Sequence, residues 1–403
     1  MLKRNSFLVL CLVISSIGFH FVAYAHAGNR EENQKELTIL KEHDNHLKEL
    51  FAKWYKDARY QEESSVDGGG LQEDEKKTRG KQTFLSKYIG EFDFGGAIEL
   101  EAFYELTNPK EGEKEKTSEL ALSSVEFIVE AEIKNCLRAS IQVEKEDEKG
   151  VVIDKAIAHF QADGVCKPDP SFDSSWYGSI GKMDIPFGLF ESHLISDPLT
   201  LELGETKGKA IVIGAHNNLF NAYTGMYNGN MVKTGSVDHI ENFFGAVYFT
   251  TKEDTLGFVY GICYISNIAD SDGLIDFIED KFEKDTIEEN VPGASVSLSV
   301  CYNEQYYLEA EYVLALKEFK ENKNFEPKAW NIEFAFLPVN EVEVTLGYSG
   351  SKDTLDFLPE SHIGISGVYE IFDNVNIGLE CFYEKLENND ATISAISQFR
   401  IEF

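Results

Sequence analysis

Beyond its N-terminal stretch the chain has no apolar run near the roughly 18 residues that a membrane-spanning helix needs. Such a chain crosses a membrane by closed strands or not at all. Positive charge is also scarce. There are 37 Lys and Arg against 70 Asp and Glu, for a formal net charge of -33. That balance excludes nucleic acid as a partner and argues against adsorption on anionic membrane surfaces. The cysteines form no CxxC pair, so neither a metal nor a redox site is suggested. His26, His43 and His46 precede the strands, and His159, His193, His216, His239 and His362 are scattered without an HExxH-like spacing. With no nucleophile, base and orienting acid in view, the sequence reads as a non-enzyme that needs no cofactor.

The first residues carry an export signature. Lys3 and Arg4 precede an apolar run from Phe7 to about Val22, and Ala25-His26-Ala27 fits a small-x-small cleavage site. Residues 1–27 are therefore expected to be a signal peptide. Cys11 lies too early in that run, without small residues before it, to be a lipid anchor. In residues 28–60, Leu37, Leu40, Asp44, Leu47, Phe51, Trp54 and Ala58 alternate three and four apart, which predicts a periplasmic helix with a coiled-coil seam. Residues 61–91 contain Gly68-Gly69-Gly70 in a charged run and read as a flexible linker.

From residue 92 to residue 403 the pattern changes to period two. In Ile98 to Leu106 the even positions are mostly apolar, while Glu99, Glu101 and Glu105 hold odd ones. Val125, Phe127, Val129 and Ala131 interleave with Glu126, Glu130 and Glu132, and Leu308, Ala310 and Tyr312 with Glu309 and Glu311. Such alternation places one face against an apolar phase and the other in water. Short turns, as at Asn217-Asn218 and Asp373-Asn374, alternate with long polar connections, as at Gly229 to Asp238 and Ser266 to Pro292. Short periplasmic turns and long outer loops are the habit of outer-membrane barrels. The fold expected is all-β: a transmembrane antiparallel barrel of about 16 strands. The closing strand ends on Phe399, Ile401 and Phe403, all on its apolar side, which reads as a barrel assembly signal. Cys136 and Cys166 fall at neighbouring turns on the periplasmic side and are candidates for a disulfide.

Inward positions of such a barrel line a water-filled lumen. Here they are acidic: Glu99, Glu101, Glu126, Glu130, Glu132, Glu309, Glu311, Glu333, Glu343 and Glu380. Rings of acid favour cations. The third long connection, from Pro186 to Glu205, is too apolar for a solvated loop and is expected to fold inward and narrow the lumen. Lys182, Asp184, Pro186, Phe187, Gly188, Glu191, Asp197, Glu202 and Glu205 are the candidates for that constriction. The fifth carries Asp270-Ser271-Asp272-Gly273 with Asp276, Glu279 and Asp280; its glycine is misplaced for a calcium loop, so a solvated outer lid is expected.

The stretch Gly181-Lys182-Met183-Asp184-Ile185-Pro186-Phe187-Gly188, followed by Glu191 and by Ile195 to Thr206, resembles the outer-membrane siderophore porins of the LbtU type. So does Asn267-Ile268-Ala269-Asp270-Ser271-Asp272-Gly273-Leu274, as does the helical segment before the barrel. The resemblance implies passive uptake of a ferric siderophore, without the plug and energy-coupling box of larger receptors. Polycarboxylate siderophores are anionic, so an acidic lumen leaves three options: basic residues at the constriction, another ligand, or a general pore. The readings carried forward are a siderophore porin, a general or cation-preferring diffusion porin, and a barrel-anchored structural or adhesive surface protein. The partners expected are outer-membrane lipid, ferric siderophore or small solutes, the barrel assembly machinery and a homotrimer.

Overall fold

The computed structural model describes residues 92–403, apart from 111–113, 134–136, 146–149, 162–173, 236–239, 254, 283–285, 387 and 389. The expected leader, coiled coil and linker lie outside the described residues, as do Cys136 and Cys166.

Sixteen strands close into one antiparallel barrel. They are β1 (Phe92–Asn108), β2 (Glu115–Glu132), β3 (Leu137–Lys145), β4 (Val152–Gln161), β5 (Ser174–Asp184), β6 (Lys207–Asn217), β7 (Phe220–Asn228) and β8 (Asn242–Glu253). Then come β9 (Leu256–Ile265), β10 (Gly293–Tyr302), β11 (Tyr306–Ala315), β12 (Lys328–Val339), β13 (Val342–Lys352), β14 (Ser361–Phe372), β15 (Val375–Lys385) and β16 (Ala391–Glu402). Each strand pairs with its neighbours in sequence, and β16 pairs with β1 through Glu99↔Arg400 and Glu101↔Gln398. Closure leaves no row of unpaired backbone groups, which is what lets strands face hydrocarbon. The last residue completes the seam: Phe403 N–H donates to Gly96 O at 3.0 Å, and Gly96 N–H to Phe403 O at 2.9 Å.

Strand alternation sorts the side chains by face. Leu308 and Tyr312 on β11, Ile332 and Phe334 on β12, and Leu346 and Tyr348 on β13 are exposed on the outside. Glu309, Glu311, Glu333, Thr345 and Ser349 alternate with them and are buried inside. An apolar exterior over a polar interior inverts a soluble sheet and fits a lipid surround. Among the described residues no helix is long and apolar enough to span a membrane, so crossing falls to the strands.

Among the described residues two short helices sit in the long loops. α1 (Leu199–Gly204) belongs to the β5–β6 loop and α2 (Asp272–Phe282) to the β9–β10 loop. They pack on each other, with Asp272 N–H donating to Glu205 O at 2.9 Å. Phe277 on α2 stacks near Phe325 and Phe357 from two further loops, at 5.3 and 5.1 Å between centroids. The two-residue strands Val232–Lys233 and Thr286–Ile287 pair in parallel and tie two of these loops together. These contacts roof one sector of the barrel mouth. The outer loop carrying α2 thus departs from the expected solvated lid, because Leu274 and Ile278 bury its inner face.

Candidate functional site

The β5–β6 loop enters the barrel and is bound to the far wall. Its neck is closed by Ile185 N–H donating to Thr206 O at 2.7 Å. Ile185, Phe187, Leu199 and Leu203 are buried, which accounts for its apolar composition. At Gly188 the backbone has φ +102°, and a Cβ there would lie 2.5 Å from the Phe190 ring and 2.8 Å from Glu311 Oε1. Only glycine fits such a position at low cost. The turn it makes aims the next N–H groups at the wall.

From there the loop meets successive strands in order. Gly188 O accepts from Tyr248 OH of β8 at 2.9 Å. Leu189 and Phe190 N–H donate to the two oxygens of Glu311 on β11, both at 2.9 Å. Ser192 Oγ and His193 N–H donate to Glu333 on β12, at 2.9 and 2.7 Å. The His193 ring meets Glu343 on β13 at 3.0 Å, and His193 O accepts from Ser366 on β14 at 3.3 Å. Ile195 and Ser196 N–H both donate to Glu380 Oε2 on β15, at 2.6 and 2.9 Å, while Ser196 Oγ donates to Oε1 at 2.6 Å. A hydrogen bond contributes about 0.5–1.5 kcal/mol, and about twice that to a charged partner. A run of them fixes the loop firmly across the interior.

Half of the wall acids expected in the lumen are thus engaged elsewhere. Glu311, Glu333 and Glu380 are buried and capped by loop N–H groups. Glu343 holds the His193 ring, and Glu309 is buried with Ser299 Oγ at 2.7 Å. At Glu311, Glu333 and Glu380 the cost of burying the carboxyl is reduced because each gains three donors at once.

The acids of β1 and β2 stand on the other side of the loop. A cavity of about 350 Å³ lies between the loop tip and the β16–β1–β2 wall. Glu99, Glu101, Gln398 and Arg400 line one side of it, and Ser196 and Asp197 the other. Arg400 Nη1 pairs with Glu99 at 2.8 Å and Nη2 with Glu402 at 2.7 Å, while Gln398 Nε2 donates to Glu101 at 2.8 Å. The cation at this opening is therefore shared between two acids. Glu126, Glu130 and Glu132 stay half-buried along β2, opposite Glu144, Ser140 and Arg138 of β3.

The constriction candidates separate in the same way. Pro186, Phe187 and Gly188 are buried in the loop neck, Glu191 follows on the half-buried tip, and Asp197 is exposed at the opening. Glu202 and Glu205 sit by the roof at α1. Burial pushes the Glu205 carboxyl up to about 7; Lys207 opposes the shift, and Asp184, Asp272 and Asp197 add to it. Glu202 is raised by burial and by Asp197. Asp184 pairs with Lys155 at 2.6 Å on the rim. Lys182 is not at the constriction. It alternates with Ser179 and Tyr177 and shares the outer face with exposed Ile180, so strand parity turns it away from the lumen.

Asp270, expected in a solvated outer lid, is a buried tie instead. It accepts from Tyr227 OH at 3.1 Å, Met231 N–H at 2.9 Å, and the amides of Asn242 and Asn267, each at 2.9 Å. Burial pushes its pKa up to about 6, opposed by the hydrogen bonds from Met231 N–H, Asn267, Tyr227 and Asn230 N–H. Among the described residues no three His, Cys, Asp or Glu converge for a metal ion. The signal missed in the sequence was local: Asn267, three residues before Asp270, reads as a partner only after the 3-10 turn Ile268–Asp270 is formed.

A closed sixteen-stranded barrel with an inward loop is the architecture of the porins, and similarity to known structures bears this out at the level of fold. OprB of Pseudomonas putida superposes with a TM-score of 0.55 at 9% identity, over 79% of this chain and 95% of that one. An anion-selective porin from Comamonas acidovorans gives 0.54 at 12% identity, over 78% and 99%. OmpF of Salmonella typhi gives 0.51 at 11%, over 77% and 97%. No protein-family model matches the chain. A curated UPF0422 protein of Coxiella burnetii (strain RSA 493 / Nine Mile phase I) is 28% identical over 218 residues, 50% of this chain. The chain spans 44% of that relative's length.

Proposed function

We propose that the protein is an outer-membrane porin through which small polar solutes diffuse passively, with preference for cations. The observation that carries this reading is the loop held across the interior, leaving an opening of about 350 Å³ beside Glu99, Glu101 and Asp197. Arg400 is matched there by Glu99 and Glu402, and Glu101 takes only the neutral amide of Gln398, so the opening stays acidic. An acidic opening lowers the barrier for cations and raises it for anions. Flux through such an opening follows the concentration gradient.

A narrower reading takes a ferric siderophore as the cargo. It is supported by the resemblance of Gly181 to Gly188 and of Asn267 to Leu274 to the siderophore porins. The acidic opening weighs against a polycarboxylate siderophore and suits a cationic or neutral one. The barrel assembly machinery would read Phe399, Ile401 and Phe403, and a homotrimer is the assembly proposed.

Planar-bilayer recording tests both readings. The reversal potential in a salt gradient should show cation preference. Block of the current by added ferric siderophore supports the narrower reading; unblocked current keeps only the general pore. A folded barrel with no conductance would overturn both and leave a surface anchor.

A further inference from the structure

The outward-facing lysines at the external end of β5 and β6 have no role in the opening. Lys182 and Lys209 are direct cross-strand partners. Both alternate outward, on the face that carries exposed Ile180 and Ile211, with exposed Met226 on β7 and exposed Ile153 on β4 beside them. Like charges directly opposite each other on a sheet repel. The acids beside them offer no relief: Asp184 pairs with Lys155 at 2.6 Å, and Asp154 with Lys207 at 3.1 Å. The Lys182 ammonium donates to Ile153 O at 2.7 Å. Among the described residues neither Lys182 nor Lys209 has a carboxylate partner. A pair of cations on an otherwise strongly acidic chain therefore sits at the upper edge of an aliphatic belt.

We propose that Lys182 and Lys209, with Ile180, Ile211 and Met226 below them, form a docking site for a phosphorylated lipid of the outer leaflet. The phosphate sits between the two ammonium groups and removes their mutual repulsion, while the acyl chains lie on the aliphatic side chains. Lysines at the edge of a membrane slab extend their stems along apolar surface and hold their charge at headgroup level. The site rests on the membrane placement proposed above, but it lies on the opposite face of the wall from the opening, so the two can fail separately.

The test uses the full chain folded in detergent. Its heat-modifiable unfolding midpoint is followed while diphosphoryl lipid A, or the same lipid with both phosphates removed, is added. Diphosphoryl lipid A should raise the midpoint of the wild type. K182Q/K209Q should need at least tenfold more lipid for the same shift, and K182R/K209R should behave as wild type. The dephosphorylated lipid should shift all three alike. Equal response of wild type and K182Q/K209Q to the phosphorylated lipid, or an equal response to both lipids, would overturn the site. If K182Q/K209Q does not fold, the single K209Q variant, at the more exposed lysine, replaces it with the same criterion. Conductance in lipid-A-free bilayers should be unchanged in K182Q/K209Q. Absence of conductance in both proteins would count against the pore and leave the lipid site standing.

Discussion

Glu333 and Glu101 both point into the barrel from strands whose other face is apolar. Glu333 is 1% exposed and takes hydrogen bonds from Ser192 and His193 of the inward loop. Glu101 is half-buried, receives Gln398 from the neighbouring strand and borders the open cavity. The same contrast extends around the wall. Acids on β11, β12, β13 and β15 are occupied by the loop or by its histidine, whereas Glu99 and Glu101 on β1 line the cavity. The difference lies in what crosses the lumen opposite each acid. A carboxylate that meets backbone N–H groups becomes a fixing point, and one that meets water becomes part of the pore's field.

Replacing Glu380 by Ala puts the largest strain on this division. It strips the acceptor from Ile195 and Ser196 N–H and from Ser196 Oγ, a loss of about 3 kcal/mol or more in loop docking. Single-channel conductance should at least double and become noisy. Glu99→Ala should not do this, because its partners Ser124 and Arg400 lie on the wall itself. Equal gains in conductance from the two would erase the contrast.

Gly188→Ala comes next. The φ of +102° and the contacts at 2.5 and 2.8 Å predict a loss of roughly 1–3 kcal/mol, read as a lower temperature of heat modification. An unchanged melting temperature would mean the turn does not aim the loop at Glu311.

At the opening, E101Q/D197N should lower the potassium-to-chloride permeability ratio by a few fold, and Arg400→Gln should raise it by freeing Glu99 and Glu402. Shifts of the same sign in both would show that these residues do not set the field.

The smallest effect is in the roof. The Glu205 and Asp270 carboxyls are raised to about 7 and about 6, so their neutral forms are favoured in the folded loops. The folded state then binds more protons than the unfolded one across this window, and loop stability falls as pH rises through it. Cleavage of the outer loops by a broad-specificity protease in native barrel should be slower at pH 5 than at pH 8, relative to an unstructured control peptide. Glu205→Gln should flatten part of that dependence.

Much of this was legible residue by residue. The alternation of Glu309 and Glu311 with Leu308 and Tyr312 announced strands with one apolar face, and the alternation of long and short connections announced a closed barrel. The composition of Pro186 to Glu205 pointed to a loop that seeks shelter. Asp270 and Lys182 hold places that their sequence neighbours do not announce. Asp270 stands among acidic neighbours in the sequence, but its partners Tyr227, Met231 and Asn242 come from other segments. Lys182 belongs to the motif around it in sequence, but one step of strand parity separates it from Met183, which faces inward.

The sequence by itself determined the strands, their faces and the loop that could not remain in water, because period-two alternation and apolar composition act over a few residues. Which acids fix that loop and which ones border the opening was decided only by the tertiary structure. Glu311, Glu333 and Glu380 meet their donors across 121 to 185 residues of chain. A carboxylate's role depends on the donors brought within 3 Å of it, and that proximity exists only once the barrel has closed.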